Sequence, residues 1–260
     1  MLSIIGMLIT LVILLAHLVN FSARSAFFAL SLSLLAIVAL IRMYRSSCVP
    51  YLIAMFSVLS VIRIIGLNGY YFALYPALLA LLCLIILFFY IAYQDIKQQT
   101  IFLGADAYHM SAYEWQLSFI RIYVGFDLIA HCTEKLFDGP IAFQSDVMAF
   151  IHLNVIDPTF FVKLAGLCEL AGAISLGLGL LTRIGAIGTA LYIMIATIIG
   201  GHFLKSFIWA SPGGGWEYPL MWTVLILSYS VLGANKFSVD GVLNKKFTLP
   251  TWSKRLMGIR

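Results

Sequence analysis

Residues 2–20, 26–41, 50–67, 71–93, 118–137, 160–181, 184–203 and 218–232 are apolar runs of about 15–23 residues. That is close to the length a helix needs to cross the hydrocarbon core of a bilayer. The runs are continuously apolar rather than alternating, which favours helices over the strands of a transmembrane barrel. The pattern predicts an all-α, polytopic membrane protein of about eight transmembrane helices.

The polar punctuation organises these runs. A short turn at Ser22–Ser25 closes the first, Arg42 and Arg45 end the second, and Arg63 sits near the far end of the third. After residue 95 comes a hydrophilic stretch, and its Ser111-x-x-Glu114 pattern reads as a capping box starting the fifth helix. Asp138-Gly139-Pro140 predicts a turn, and the mixed stretch after it is too short and too polar to span, so it should lie at the interface or partly re-enter. The segment KSFIWASPGGGWEYP, with its Gly run and two Trp residues, suits a loop at headgroup level. We divide the chain into an N-terminal four-span module (1–95), a connector (96–114), a second membrane domain (115–243) and a basic tail (244–260).

Composition narrows the function classes. The chain is 62% hydrophobic and 10% charged, against about 25% charged in soluble domains. Six of its sixteen basic residues follow Val231, so the formal charge of +5 marks a tail beside the last span rather than a nucleic-acid surface. Arg42, Arg45, Lys97, Arg183 and that tail fall on one face; Arg24, Lys135, Lys163 and Lys205 fall on the other. The positive-inside rule places both termini in the cytoplasm, in a bacterial or archaeal inner membrane. The opening stretch lacks a basic n-region and reads as a retained span rather than a signal peptide. Cys48, Cys83, Cys132 and Cys168 are scattered without a CxxC, which removes the main support for a disulfide framework, a thiol relay or a cysteine-type zinc site; no metal is predicted.

The fifth run is the odd one. Arg121, Asp127, His131, Glu134 and Lys135 all lie inside residues 118–137. In a regular helix Asp127, His131 and Lys135 share one stripe, with Glu134 beside it. An ionisable group near the bilayer centre costs roughly 2.5–3.5 kcal/mol on insertion scales, so such a stripe must face protein or water. Glu169, His202 and Glu217 in the next three runs fall in the same outer leaflet, which suggests a shared polar pocket. Asp127, His131, Lys135 and Glu169 are the candidate catalytic groups. Arg121, His202, Trp216 and Glu217 are the candidate substrate-binding groups, although Arg121, rotated off the stripe, can instead snorkel toward the cytoplasmic headgroups. The plainer alternative is a salt-bridge network joining Lys135 or His131 to Glu169 or Asp127. His17 and Arg63 read as packing or snorkelling residues. His17, His131 and His202 are the only candidates for a two-histidine haem b site, which lone span histidines rarely form.

Several short motifs in fixed order complete the picture. Arg121 and Gly125, His131-Cys132-x-x-Lys135, Glu169 with Gly172, the run from Gly177 to Arg183, His202, Glu217-Tyr218 and Ser238-Val239-Asp240 together resemble the DoxX/DoxD family of four-helix membrane proteins. The resemblance spans about residues 115–243 and implies a C-terminal DoxX-like four-helix bundle whose polar core is Arg121, His131, Lys135, Glu169 and His202. Cys132 stands where the family commonly has Gly. Some members are subunits of thiosulfate:quinone oxidoreductase, so the resemblance implies a redox-linked subunit that engages quinone and an oxidoreductase partner. A non-enzymatic membrane scaffold or assembly factor is the alternative, and a small-anion or proton transporter the second.

Overall fold

A computed structural model describes residues 1–43, 48–234 and 236–259, all of whose regular structure is helical. The principal helices are α1 (Leu2–Ala16), α2 (Ala23–Arg42), α3 (Cys48–Leu67), α4 (Tyr71–Leu103), α5 (Ala105–Cys132), α6 (Pro140–His152), α7 (Pro158–Gly172), α8 (Thr182–Ile199), α9 (Glu217–Leu232), α10 (Val239–Lys246) and α11 (Thr251–Met257). Two of them widen into π-helical turns, α5 over Thr133–Phe137 and α7 over Ala173–Gly179. Arg45, used above in the charge count, lies outside the described residues.

By length and composition, α2, α3, α4, α8 and α7 with its π segment can each cross a membrane. The remaining three runs fall short for separate reasons. α1 and α9 have 15 and 16 residues, about 22–24 Å at 1.5 Å per residue. α5 is long enough but carries charged side chains through its apolar part. From α1 to α9 successive helices pack alongside one another, with α1 also against α4 and α5 also against α7 and its π segment; α10 packs on α3 and α11 on α8. The end of the bundle holding Met1, Met43 and Tyr90 is called proximal here; the opposite end is distal. The largest hydrophobic core runs continuously from Met7 in α1 to Ala173 beyond α7, so the two halves share their interior.

Between α4 and α5 the chain turns on one residue. Gly104 adopts φ +89°, where a side chain would be strained, and helix resumes at Ala105. Ser111 therefore sits inside α5 rather than at its start, and its hydroxyl faces Asp95 at 3.4 Å instead of capping the helix. The capping-box reading fails because tertiary packing continues the helix upstream of a locally plausible start. At the distal end Asp138 is buried and accepts from Ser25 Oγ (2.9 Å) and Asn68 Nδ2 (2.8 Å), fastening three inter-helix turns together. α6 buries no residue, in keeping with an interfacial helix.

Candidate functional site

The π turn at the distal end of α5 decides where its charges go. A π turn holds one more residue than an α turn, so it breaks the common stripe of Asp127, His131 and Lys135. Lys135 turns inward and is buried, whereas His131 is exposed on the bundle surface. Glu134 points another way again and pairs with Arg63 of α3. That pairing replaces the packing-or-snorkelling reading of Arg63, and the exposure of His131 removes it from the predicted pocket.

Lys135 finds its partner on α7. Gly166 leaves space there, since a Cβ at that position would lie 2.9 Å from Lys135 Cβ. Glu169, one turn along, faces the same gap. Lys135 Nζ lies 3.1 Å from Glu169 Oε1, and Tyr192 of α8 donates to the same oxygen at 2.6 Å. Lys135 Nζ also donates to the His131 carbonyl at 3.3 Å. The side chains of Lys135 and Glu169 are only 10% and 6% exposed. Yet Glu169 Oε2, equally buried, has no hydrogen-bond partner, and nor has the buried Thr133 hydroxyl. A buried carboxylate with one oxygen doubly engaged and the other free can accept a proton or a donor from a small ligand. Tyr192 carried no sequence signal; only the α7–α8 packing brings it in.

The other predicted members lie elsewhere. His202 and Trp216 lie in the loop between α8 and α9, and Glu217 opens α9 beside them. His202 packs at 5.8 Å from the Trp209 ring, Trp216 at 4.6 Å from Phe207, and Glu217 Oε2 accepts from the Trp209 amide at 3.1 Å. Among the described residues no hydrogen bond or ion pair links them to Glu169, so the four-helix pocket reduces to α5, α7 and α8. The cause is the loop itself, whose own backbone and aromatic groups satisfy these side chains. His17 is exposed, 5.8 Å from Tyr70, and does not approach His131 or His202 through any described contact.

Arg121 forms a second polar centre, toward the proximal end. It is fully buried and does not snorkel. Its guanidinium donates to the carbonyl of Leu176, to Gly177 O at 3.4 Å and to Phe237 O at 2.8 Å. The π segment after α7 supplies the first two, because a widened turn releases carbonyls from the regular ladder. Gly179, at φ +71°, passes close to the arginine, where a Cβ would lie 2.6 Å from Nη1. Asp240 completes the junction. It accepts from the amides of Leu181 (2.9 Å) and Thr182 (3.0 Å) and from the Thr182 hydroxyl (2.9 Å), capping α8 from 58 residues away. Burial pushes the Asp240 carboxyl up, and these donors and Arg121 oppose it. Lys236 meets Asp95 at 2.8 Å and Glu114 at 3.3 Å beside it.

These centres fall on a recognised pattern. The DoxX family pattern matches residues 116–202, from α5 through α8. An uncharacterized protein of Haemophilus influenzae is 31% identical over 135 residues, which is 50% of this chain and 92% of that relative. The chain belongs to the DoxX family. The DoxX region thus holds Arg121, Lys135, Glu169 and Tyr192, while Phe237 and Asp240 reach it from the segment that follows α9. No solved structure matches the chain.

Proposed function

We propose that this DoxX protein is the membrane subunit of a quinone-linked oxidoreductase, of the thiosulfate:quinone oxidoreductase kind, with Glu169 as an intramembrane proton carrier that accepts a proton and passes it to the quinone as the partner's electrons reduce it to quinol. One observation carries the reading: a carboxylate oxygen of Glu169, buried beside Lys135 and Tyr192, is left without a partner. A buried unsatisfied acceptor costs about 1–3 kcal/mol, a cost that a functional role explains. A quinone supplies two-electron chemistry coupled to proton transfer, and the hydroxyl of its reduced form is a donor that this oxygen fits. Lys135 balances the charge of Glu169 and Tyr192 fixes its orientation. The chain has no paired redox cysteines among Cys48, Cys83, Cys132 and Cys168, so the electron-carrying centre belongs to a partner subunit. Its site is the inner membrane, with both termini in the cytoplasm, as the distribution of Lys and Arg favours. Residues 1–95 are an added module and 244–260 a basic tail on the family bundle.

The test is quinone reduction by the complex purified in native lipids, with thiosulfate among the donors. Glu169→Gln should reduce turnover by about a hundredfold or more while the complex stays assembled. Unchanged turnover in an assembled Glu169→Gln complex would overturn the assignment. A second reading, a non-enzymatic scaffold, draws on the Arg121 junction, which ties α5, the segment after α7 and the chain after α9 together without a spare acceptor. It predicts that Glu169→Gln lowers partner recovery and stability and leaves turnover per assembled complex intact.

A further inference from the structure

A groove of about 640 Å³ is lined by α3 of the N-terminal half together with α4 and α5. Its proximal end is closed by ring contacts between α4 and α5, Phe88 on Trp115 at 5.5 Å and Phe89 on Phe119 at 5.5 Å. The lining residues Leu78, Phe89, Phe119 and Tyr123 are exposed on the bundle surface, so the mouth opens sideways between α4 and α5. In a membrane that mouth faces acyl chains, and the molecules that reach it are those dissolved in the hydrocarbon.

Two charged side chains, Arg63 and Asp127, line an otherwise apolar wall. They are not equivalent. Arg63 is neutralised by Glu134. Asp127, two turns deeper along α5, makes no hydrogen bond or ion pair among the described residues; its neighbour His131 lies one turn away on the exposed surface. A carboxylate in a low-dielectric groove attracts a counter-charge strongly; within the lining Arg63 is already paired, and the His131 imidazole acts on Asp127 from outside the lining. Aromatic rings line the same space, among them Phe88, Phe89, Phe119, Tyr123 and Phe126, and rings of this kind stabilise a diffuse positive charge. Lateral access selects for lipid solubility, Asp127 for positive charge, and the rings for a cation without a tight hydration shell.

We infer that this groove binds lipophilic cations, such as hydrophobic quaternary or aryl-substituted onium ions, with Asp127 as their counter-ion. The site is separate from Glu169 and stands whether or not the protein is quinone-linked. It also gives the N-terminal half a role, since α3 and α4 build most of the wall.

The probe is tetraphenylphosphonium, titrated calorimetrically into the full chain in lipid nanodiscs, with tetraphenylborate as a control of like shape and opposite charge. Saturable binding of the cation and none of the anion is expected. Asp127→Asn should weaken the cation by about tenfold or more, and Asp127→Glu should retain it. Gly66 lines the distal part of the groove, and a Cβ there would meet nothing within 4 Å. Gly66→Trp should therefore occupy part of the groove and weaken binding by about tenfold with the thermal unfolding profile unchanged. Absence of saturable binding, equal binding of the borate, or unaltered affinity in Asp127→Asn or in folded Gly66→Trp each overturns the proposal.

Discussion

The two buried cations of the DoxX region, Arg121 and Lys135, solve the same problem in different ways. Arg121 gives its Nη protons to backbone carbonyls of two separate segments, groups that do not ionise and cannot leave, while its Nε–H is unpartnered. Lys135 relies on a side chain, Glu169, whose second oxygen is unengaged. The planar fork of arginine suits a cradle of carbonyls, whereas lysine is a point charge opposite one titratable group. A charge held by backbone from distant parts of the chain is a fastener. A charge held by one carboxylate with an unengaged oxygen is where the proposed function puts the travelling proton.

The sharpest way to break this contrast is to remove Arg121. Arg121→Met strands buried carbonyls from two segments at once, and we expect a loss of about 3–5 kcal/mol, seen as poor recovery of folded protein and a large fall in melting temperature. Arg121→Lys should not rescue it, because an ammonium cannot reach the diverging carbonyls as a fork does. Full recovery with lysine would mean that the charge alone matters.

Next in size is a double-mutant cycle at the distal pair. Glu169→Leu alone leaves Lys135 buried without its partner and should cost about 3 kcal/mol. Lys135→Met together with Glu169→Leu should return most of that stability, since an apolar pair of similar volume packs in the same gap. Additive losses in melting temperature would show that the pair is not coupled. Smaller again is Asp240→Ala, which removes the cap from α8 and should cost about 1–2 kcal/mol, read as lower thermal stability and faster proteolysis near residues 180–183. Asp240→Asn should recover part of it, because the amide oxygen still accepts one backbone bond.

Much of this frame is legible along the chain and part of it is not. The apolar runs give two of the later helices almost to the residue, 160–181 against Pro158–Gly179 and 218–232 against Glu217–Leu232, whereas α4 and α5 run on through the hydrophilic stretch to Leu103 and from Ala105. The family motifs contain Arg121, Lys135, Glu169 and Asp240. What they do not contain is the register change. A stripe drawn at 3.6 residues per turn puts His131 beside Lys135, and the π turn over Thr133–Phe137 separates them. Nothing local in Thr133-Glu134-Lys135 announces an extra residue in a turn, because the cause is the demand of Gly166 and Glu169 across the interface. The Arg63–Glu134 pair, the Tyr192 hydroxyl and the cluster of Lys236 with Asp95 are long-range for the same reason. They follow from which helices become neighbours, and hydropathy does not encode that.

Tyr192→Phe is the gentlest change and the most discriminating. It deletes one hydroxyl and keeps the ring, so α8 still packs on α7, and Glu169 Oε1 still has Lys135. On stability grounds alone the loss should be about 0.5–1 kcal/mol, since one neutral donor to a carboxylate is removed from a pair that survives. If Glu169 only fastens helices, nothing further should change. If Glu169 passes protons to the quinone, the tyrosine hydroxyl holds the carboxylate in its working orientation, and turnover of quinone reduction per assembled complex should fall about tenfold in Tyr192→Phe. Turnover that coincides with the unmodified protein would place Glu169 with Arg121, as a structural charge and no more.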